Sequence, residues 1–338
     1  MKKVLVTGGA GFIGSHTVVE LCEAGYTPII VDNFSNSHPD VLKGLAAILE
    51  HEVKHYAIDC TNEAAVEAVF EQEGPFFGII HFAAFKAVGD SVRRPLAYYR
   101  NNLLSTEVLL HKMAAHNCHR LVFSSSCTVY GQPENLPVTE QTKFQPASSP
   151  YGYTKQVCEQ MITDVVASKQ SDFSAVLLRY FNPIGAHPSG EIGELPIGVP
   201  ENLIPYITQT AAGKRAELIV FGNDYETLDG TCVRDYIHVV DLAKAHVAAL
   251  EWVQNHTSTC EAFNLGTGNG NTVKEVIDTF TEATGVHVAH RIGKRREGDV
   301  VKIWASPLKA EKELGWKTSL SLKQALIDAW NWEKKLTK

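Results

Sequence analysis

Two side chains of this 338-residue chain are spaced for proton chemistry: Tyr151 and Lys155, in the run Tyr-Gly-Tyr-Thr-Lys. At i and i+4 on a helix they stand one above the other on one face. A free phenol has a pKa of about 10, so only about one in a thousand is phenolate at neutral pH. A lysine ammonium beside it favours the anion, as does the positive ring of an oxidised nicotinamide. Lowering the pKa by ~3 units takes about 4 kcal/mol of differential stabilisation, which two close cations in a partly desolvated cleft can supply. The pair reads as a base, Tyr151, tuned by Lys155. Tyr-x-x-x-Lys alone is common by chance; its weight comes from what stands upstream.

Upstream is Thr7-Gly8-Gly9-Ala10-Gly11-Phe12-Ile13-Gly14, placed to follow a first strand and open a first helix. Gly8, Gly11 and Gly14 permit a tight turn and let amides at the helix N-terminus approach a pyrophosphate. The second strand ends in Val31-Asp32-Asn33. An acid there accepts hydrogen bonds from adenosine ribose hydroxyls and repels a 2′-phosphate, so the expected cofactor is NAD rather than NADP. A capping aspartate is the plain alternative. Asp59, closing the third strand, is either an adenine contact or a turn aspartate. The third group is Phe123-Ser-Ser-Ser126-Cys-Thr-Val-Tyr-Gly131, at the carboxyl end of a strand, the edge where open α/β sheets bind ligands. Ser126 could hydrogen-bond a reacting sugar oxygen and relay its proton to Tyr151, or merely close the strand.

These residues need a sheet to hold them. Strand patterns at 3–7, 28–31, 54–58, 77–82, 121–124 and 175–180 alternate with helical patterns at 15–24, 40–50, 63–73, 96–117 and 151–168. That alternation predicts an α/β fold, a Rossmann-type doubly wound parallel sheet with helices on both faces. From 181 to 205 five prolines and four glycines predict a long loop serving a site. The expected division is a dinucleotide-binding domain at 1–180 and a smaller mixed α/β substrate domain at 181–338. In the latter, strands are expected at 218–221, 233–238 and 262–265. Helices are expected at 203–212, 240–253, 273–284, 306–314 and 321–333. Segments near 239–265 are free to return to the first sheet.

The composition, 44% hydrophobic and 20% charged, is that of a globular chain with a sizeable core. With 31 Lys+Arg against 38 Asp+Glu and a net charge of -7, nucleic-acid and anionic-membrane binding are not expected. An anionic ligand needs a local cluster instead. Arg291, Lys294, Arg295 and Arg296, with Arg234, form the one tight candidate for a phosphate clamp; a solvated charge run is the alternative. Seven scattered cysteines without a Cys-x-x-Cys pair read as reduced thiols in the cytoplasm. The apolar stretch 76–85 is far short of the ~20 residues that span a bilayer, and Val4-Leu5-Val6 is too short for a secretory leader.

No metal is expected. His51-Glu-Val-Lys-His55 matches a zinc-protease pattern, but that pattern needs one continuous helix and here a helix gives way to a strand. His111, His116, Cys118 and His119 straddle a similar junction. The sequons at Asn33 and Asn255 lack a secretory route and carry no meaning here.

Together the motifs resemble the extended short-chain dehydrogenase/reductase family over essentially the whole chain, and within it the nucleotide-sugar epimerases. The resemblance rests on His81-Phe-Ala-Ala-Phe-Lys86, Tyr98-Tyr-Arg-Asn101-Asn102, Ser-Pro-Tyr151-Gly-x-x-Lys155 and Arg179-Tyr-Phe-Asn182-Pro. It rests also on Asn202-Leu203, Phe221-Gly-Asn-Asp-Tyr, Val-Arg234-Asp-Tyr236-Ile-His and Arg295-Arg296-Glu-Gly-Asp299. The resemblance implies interconversion of UDP-galactose and UDP-glucose through transient oxidation at C4. NAD stays tightly bound, Tyr151 is the base with Ser126 in its hydrogen-bond path, and the 4-keto sugar turns over before hydride returns.

For the cofactor, the resemblance adds Asn33, Asn36, Ser37, Cys60, Phe82, Ala83, Ala84, Lys86, Asn101, Tyr180 and Phe181 to the glycine loop, Asp32, Asp59, Ser126, Tyr151 and Lys155. For the UDP-sugar it implies Lys86, Ser126, Tyr151, Asn182, Asn202, Leu203, Ile219, Val220, Phe221, Arg234, Tyr236, Arg296, Asp299 and Ile303. It also implies a homodimer. Ile303 stands where the family gates its pocket by size, and its intermediate bulk implies little turnover of N-acetylated sugars. The alternatives are a related 4-epimerase of UDP-hexuronates or UDP-N-acetylhexosamines, a sugar-nucleotide dehydratase, and a non-catalytic NAD-binding protein. Family dehydratases carry an acid pair where this chain has Cys127 and Thr128, and a non-catalytic protein would have no need of the Tyr151/Lys155 pair.

Overall fold

A computed structural model describes residues 1–168, 172–296 and 300–336. The first half runs β1 (Lys3–Thr7), α1 (Phe12–Glu23), β2 (Thr27–Val31), α2 (Asp40–Leu49), β3 (His55–Tyr56), α3 (Glu63–Glu73), β4 (Gly78–His81), α4 (Val88–Arg93), α5 (Pro95–Ala115) and β5 (Arg120–Ser124). A 3-10 turn (Cys127–Tyr130), α6 (Pro150–Ala167) and β6 (Ser174–Tyr180) follow. Next come β7 (Asn182–Ile184), α7 (Leu203–Ala211), β8 (Leu218–Phe221), β9 (Val233–Arg234), β10 (Tyr236–His238), α8 (Val239–Gln254) and β11 (Cys260–Leu265). The chain closes with β12 (Asn271–Thr272), α9 (Val273–Thr284), β13 (His290–Gly293), β14 (Lys302–Ile303), α10 (Leu308–Glu313) and α11 (Leu322–Lys335).

Seven strands form one parallel sheet in the order β11-β6-β5-β4-β1-β2-β3. Alternate residues of its strands feed two cores, as the period-2 geometry of a strand requires. Val4, Val6, Ile30, Ile80, Val122 and Val176 pack with α1, α2 and α8 on one face. Leu5, Ile29, Ile79, Leu121, Phe123 and Leu177 pack with α3, α5 and α6 on the other. Burial on both faces is why these strands read as unbroken β-branched runs, and all seven residues of β6 are buried. Strand order reverses between β1 and β4, which opens a crevice at their carboxyl ends. The fold is thus the Rossmann-like α/β sandwich.

Residues 239–265 supply α8, packed on α1, and β11, paired with β6 at the sheet edge. A separate core of Ile204, Ile207, Leu218, Val220, Val276, Phe280 and Leu326 joins α7, β8, α9 and α11. Among the described residues no helix is long and apolar enough to cross a membrane.

Several expected elements differ. The third strand keeps only two residues, paired to β2 alone at the sheet edge. The loop from 181 begins with the short strand β7. The single strand expected at 233–238 is two, in different sheets: β9 lies between β12 and β14, and β10 pairs with β7. Asp235 causes the break. Its carboxylate accepts from the Thr267 amide and hydroxyl (2.8 and 2.7 Å), the Gly268 amide (3.2 Å) and the Ala305 amide (3.1 Å). Its carbonyl accepts from the Asn182 amide at 2.9 Å.

Candidate active site

The glycine loop is held by backbone contacts and by the carboxylate of Asp32. Gly8 has φ +68°, a left-handed conformation that favours glycine, and its amide donates to the Val31 carbonyl at 2.7 Å. A Cβ on Gly8 would lie 2.8 Å from the Ala83 nitrogen, and one on Gly14 only 2.3 Å from the Gly8 oxygen. The loop therefore seats against the segment after β4 with no room for side chains. Phe12, Ile13 and Gly14 open α1, which has no side-chain cap, so its first amides are free for an outside anion.

Asp32 follows β2 and is buried. It accepts from the Ala10 amide (3.0 Å), the Phe34 amide (2.9 Å) and the Ser37 hydroxyl (2.9 Å). The carboxylate thus ties the glycine loop to the segment carrying Asn33, Asn36 and Ser37. Asn33 donates to Asp59 at 3.0 Å, joining the ends of β2 and β3, where Cys60 lies buried. Phe82, Ala83, Ala84 and Lys86 follow β4. A backbone cradle with no room for a Cβ, an uncapped helix end and an acid beyond the second strand fit a dinucleotide.

At the next strand edges Ser149 caps α6, its hydroxyl accepting from the Gly152 amide at 3.2 Å, with Pro150 in the first turn. The buried face of α6 carries Tyr151, Thr154, Lys155, Cys158, Glu159 and Ile162. Ser126 caps the 3-10 turn after β5, accepting from the Thr128 amide at 3.2 Å, and its hydroxyl lies near enough to the Tyr151 phenol to favour the phenolate. Lys155 donates to the Ser124 carbonyl at 2.6 Å, its ammonium 4.7 Å from the Phe123 ring centre. Burial drives Lys155 down to about 8, against the opposing charges of Cys158 and Glu159. The expectation of a depressed phenol at Tyr151 included the positive charge of a bound nicotinamide. In the protein alone burial pushes it up to about 12, and the Ser126 hydroxyl only partly offsets this.

The second half meets this edge. Phe181 donates its amide to the Leu265 carbonyl, and Asn182 lies opposite Tyr236 in the β7–β10 register. Arg234 lies opposite Ile303 in β9–β14, and the charge of Arg234 reaches Cys127, next to Ser126. Ile303 is buried in one cluster with Val129, Tyr130 and Phe181. Asn202 precedes α7, where Leu203 follows, and its side chain makes no cap but donates to Glu194, which also takes Lys86 at 3.5 Å. Ile219 and Phe221 alternate with Val220, whose side chain packs in the separate core with α7, α9 and α11.

Within the basic cluster, Arg291 pairs with Glu217 at 2.5 Å and Arg295 with Asp224 at 2.7 Å, while Arg296 lies over the Phe221 ring. Asp299 lies outside the described residues. His51 stands beyond the end of α2, with Glu50 left-handed between, so it shares no helix with His55. Among the described residues no group of three His, Cys, Asp or Glu side chains could hold a metal ion.

The model of a family described as GDP-mannose 4,6 dehydratase matches residues 5–328. A UDP-glucose 4-epimerase of Dictyostelium discoideum is 50% identical over 331 residues, covering 98% of this chain and 95% of that protein. The crystal structure of UDP-glucose 4-epimerase from Bifidobacterium longum in complex with NAD+ and UDP superimposes with a TM-score of 0.95. It shares 48% identity and covers 99% of this chain and 98% of that one. The chain belongs to the UDP-glucose 4-epimerase family. A further 4-epimerase of that family, from Stenotrophomonas maltophila with bound NAD and formylated UDP-arabinopyranose, gives a TM-score of 0.96. It shares 43% identity and covers 100% of this chain and 99% of that one.

At the two positions where the resemblance puts the acid pair of the dehydratases, this chain has Cys127 and Thr128. Burial pushes the Cys127 thiol up to about 12, and the Thr128 hydroxyl donates to Ser126 at 3.0 Å. Neither can act as a carboxylic acid.

The structure also brings in residues that the motifs alone did not single out. Asn102 accepts from the Phe85 amide and donates to the Phe85 carbonyl and the Thr154 hydroxyl, clamping the segment after β4 to α6. The only hint was its place beside Asn101, which donates to it at 3.0 Å. Glu159 carries a better hint, lying four residues beyond Lys155 on the same face.

Proposed function

We propose that the chain is an isomerase that interconverts UDP-galactose and UDP-glucose by transient oxidation at C4, with NAD tightly bound and regenerated in each turnover. The observation that carries this is the convergence of Tyr151, Ser126 and Lys155 at the carboxyl edge of the sheet that also carries the glycine loop. In this reading Gly8, Gly11 and the first turn of α1 hold the pyrophosphate and Asp32 the adenosine ribose. Asn33, Asp59 and Cys60 flank the adenine, and the segment from Phe82 to Lys86, with Asn101, Tyr180 and Phe181, lines the nicotinamide end.

NAD, when bound, supplies a reversible store for one hydride, so no net redox change occurs. Tyr151 takes the proton of the sugar 4-hydroxyl, directly or through Ser126. Burial alone holds this phenol neutral at neutral pH, so its use as a base requires the positive charge of Lys155 and of the oxidised nicotinamide beside it. The sugar is left as a 4-ketone, turns about its diphosphate link, and receives hydrogen on the opposite face. Asn182, Asn202, Leu203, the backbone from Ile219 to Phe221, Arg234, Tyr236 and Arg296 hold the UDP, and Asp299 completes the set. Ile303 closes the sugar pocket against N-acetyl groups.

We assign the UDP-sugar domain to 181–338, with 239–265 serving the NAD-binding domain of 1–180. Seven free cysteines support a cytoplasmic setting. A homodimer, implied by the resemblance, belongs to the same reading. The test is conversion of UDP-galactose to UDP-glucose by the purified protein without added NAD.

A further inference from the structure

Ser124 ends β5, Ser125 and Ser126 follow it, and each faces a different turn of α6. The Ser126 hydroxyl lies near enough to Tyr151 to favour its phenolate, and the Ser124 carbonyl takes the Lys155 ammonium. Ser125, fully buried, donates its hydroxyl to Oε1 of Glu159. Residues 151, 155 and 159 are successive i+4 positions, so one stripe of the helix grips one strand end at three points.

Glu159 has no atom left for a ligand. Its other contacts are with Arg179, whose Nε reaches Oε1 at 2.9 Å and whose Nη2 reaches Oε2 at 2.6 Å. Arg179 in turn donates to the Tyr130 hydroxyl at 3.1 Å, and its guanidinium stands 4.7 Å from the Phe144 ring centre. Tyr130 donates to Asn264 on β11 at 2.6 Å. A groove of about 510 Å3 between α6 and β11 reaches Glu159 and Arg179 from outside. A buried ion pair is weak evidence for stability, because desolvating both charges offsets their attraction. This one sits directly under the reacting groups.

We propose that Glu159 is a positioning residue for the 4-epimerase reaction. Through Ser125 it sets the strand end that presents Ser126 to Tyr151 and the Ser124 carbonyl to Lys155, and its carboxylate charge helps keep the Lys155 ammonium protonated. This rests on the assignment of Tyr151 and Lys155 made above. The groups facing Glu159 are Lys155 and Cys158 on its own helix, Arg179 on β6 and Cys260 on β11, with Tyr130 and Glu140 beyond the guanidinium.

Three variants decide it, each assayed as kcat per NAD-loaded site. Ser125→Ala removes one hydrogen bond and leaves the ion pair intact; the expected kcat loss is about tenfold, with KM unchanged. Glu159→Gln keeps an acceptor for Ser125 but removes the charge, so the alkaline limb of the kcat–pH profile moves down by about one unit, whereas Ser125→Ala leaves it in place. Tyr151→Phe is the control and is inactive. With Tyr151→Phe inactive, Ser125→Ala within about twofold of wild type per loaded site overturns the proposal. So does an unmoved alkaline limb in folded Glu159→Gln, or losses that merely track melting temperature or NAD content. Were Glu159→Gln not to fold, Ser125→Ala alone decides. Activity in Tyr151→Phe would overturn the base assignment, and this proposal with it.

Discussion

The Lys155 ammonium donates to the Ser124 carbonyl oxygen at 2.6 Å, inside the protein, one helical turn from Tyr151. Helix α6 thus carries a buried cation whose place is set by a strand end rather than by a carboxylate. Such a cation is destabilised by its own desolvation, and that displacement can be read out.

Burial holds Lys155 at about 8, below the ordinary 10.5. Between those values the unfolded chain binds more protons than the folded one, so this residue makes stability rise with pH across that window. Lys155→Met removes the effect. At neutral pH the variant melts higher than wild type, and its advantage closes as pH climbs through 8 towards 10.5. Its kcat falls by about a hundredfold or more. Thermal melts across the window, at matched NAD content, check the first part and initial rates the second.

Tyr151→Phe deletes the proton acceptor and leaves the ring in its buried seat. A kcat loss of about 10³-fold or more is expected, with bound NAD retained. Rates set beside nucleotide released on denaturation measure both. A rate near wild type contradicts the base assignment.

Gly14→Ala places a Cβ 2.3 Å from the Gly8 oxygen and 2.8 Å from the Gly9 Cα, both backbone. The loop must open, and the variant is expected to lose at least about nine-tenths of its co-purified NAD. Nucleotide content per chain is the measurement.

Ile303 is buried against Val129, Tyr130 and Phe181. Wild type is expected to favour UDP-galactose over its N-acetyl analogue by about tenfold or more in kcat/KM. Ile303→Ala narrows that ratio and destabilises the fold by about 2–4 kcal/mol, since the side chain is also core. Equal kcat/KM values for the two sugars in wild type contradict the gate.

What could be read from the chain was local. Glycine spacing, the acid after β2 and Tyr151 with Lys155 are patterns within a few residues, and strand–helix alternation carried the parallel sheet. Contacts between distant segments were hidden. Asn102 meets Thr154 across 52 residues and Ser125 meets Glu159 across 34, and neither pairing leaves a periodic trace. The break at Asp235 was invisible because its acceptors' partners, Thr267, Gly268 and Ala305, lie 32 to 70 residues away. The burial that raises the Tyr151 phenol, against which the cations must work, shows only in the packed structure.

The most direct test of the central claim is to give the purified protein UDP-galactose with no external NAD and assay for UDP-glucose. Appearance of UDP-glucose is the predicted result, and it establishes a retained cofactor and a C4 epimerase together. No product, even after NAD is added, would contradict the substrate and the reaction assigned here.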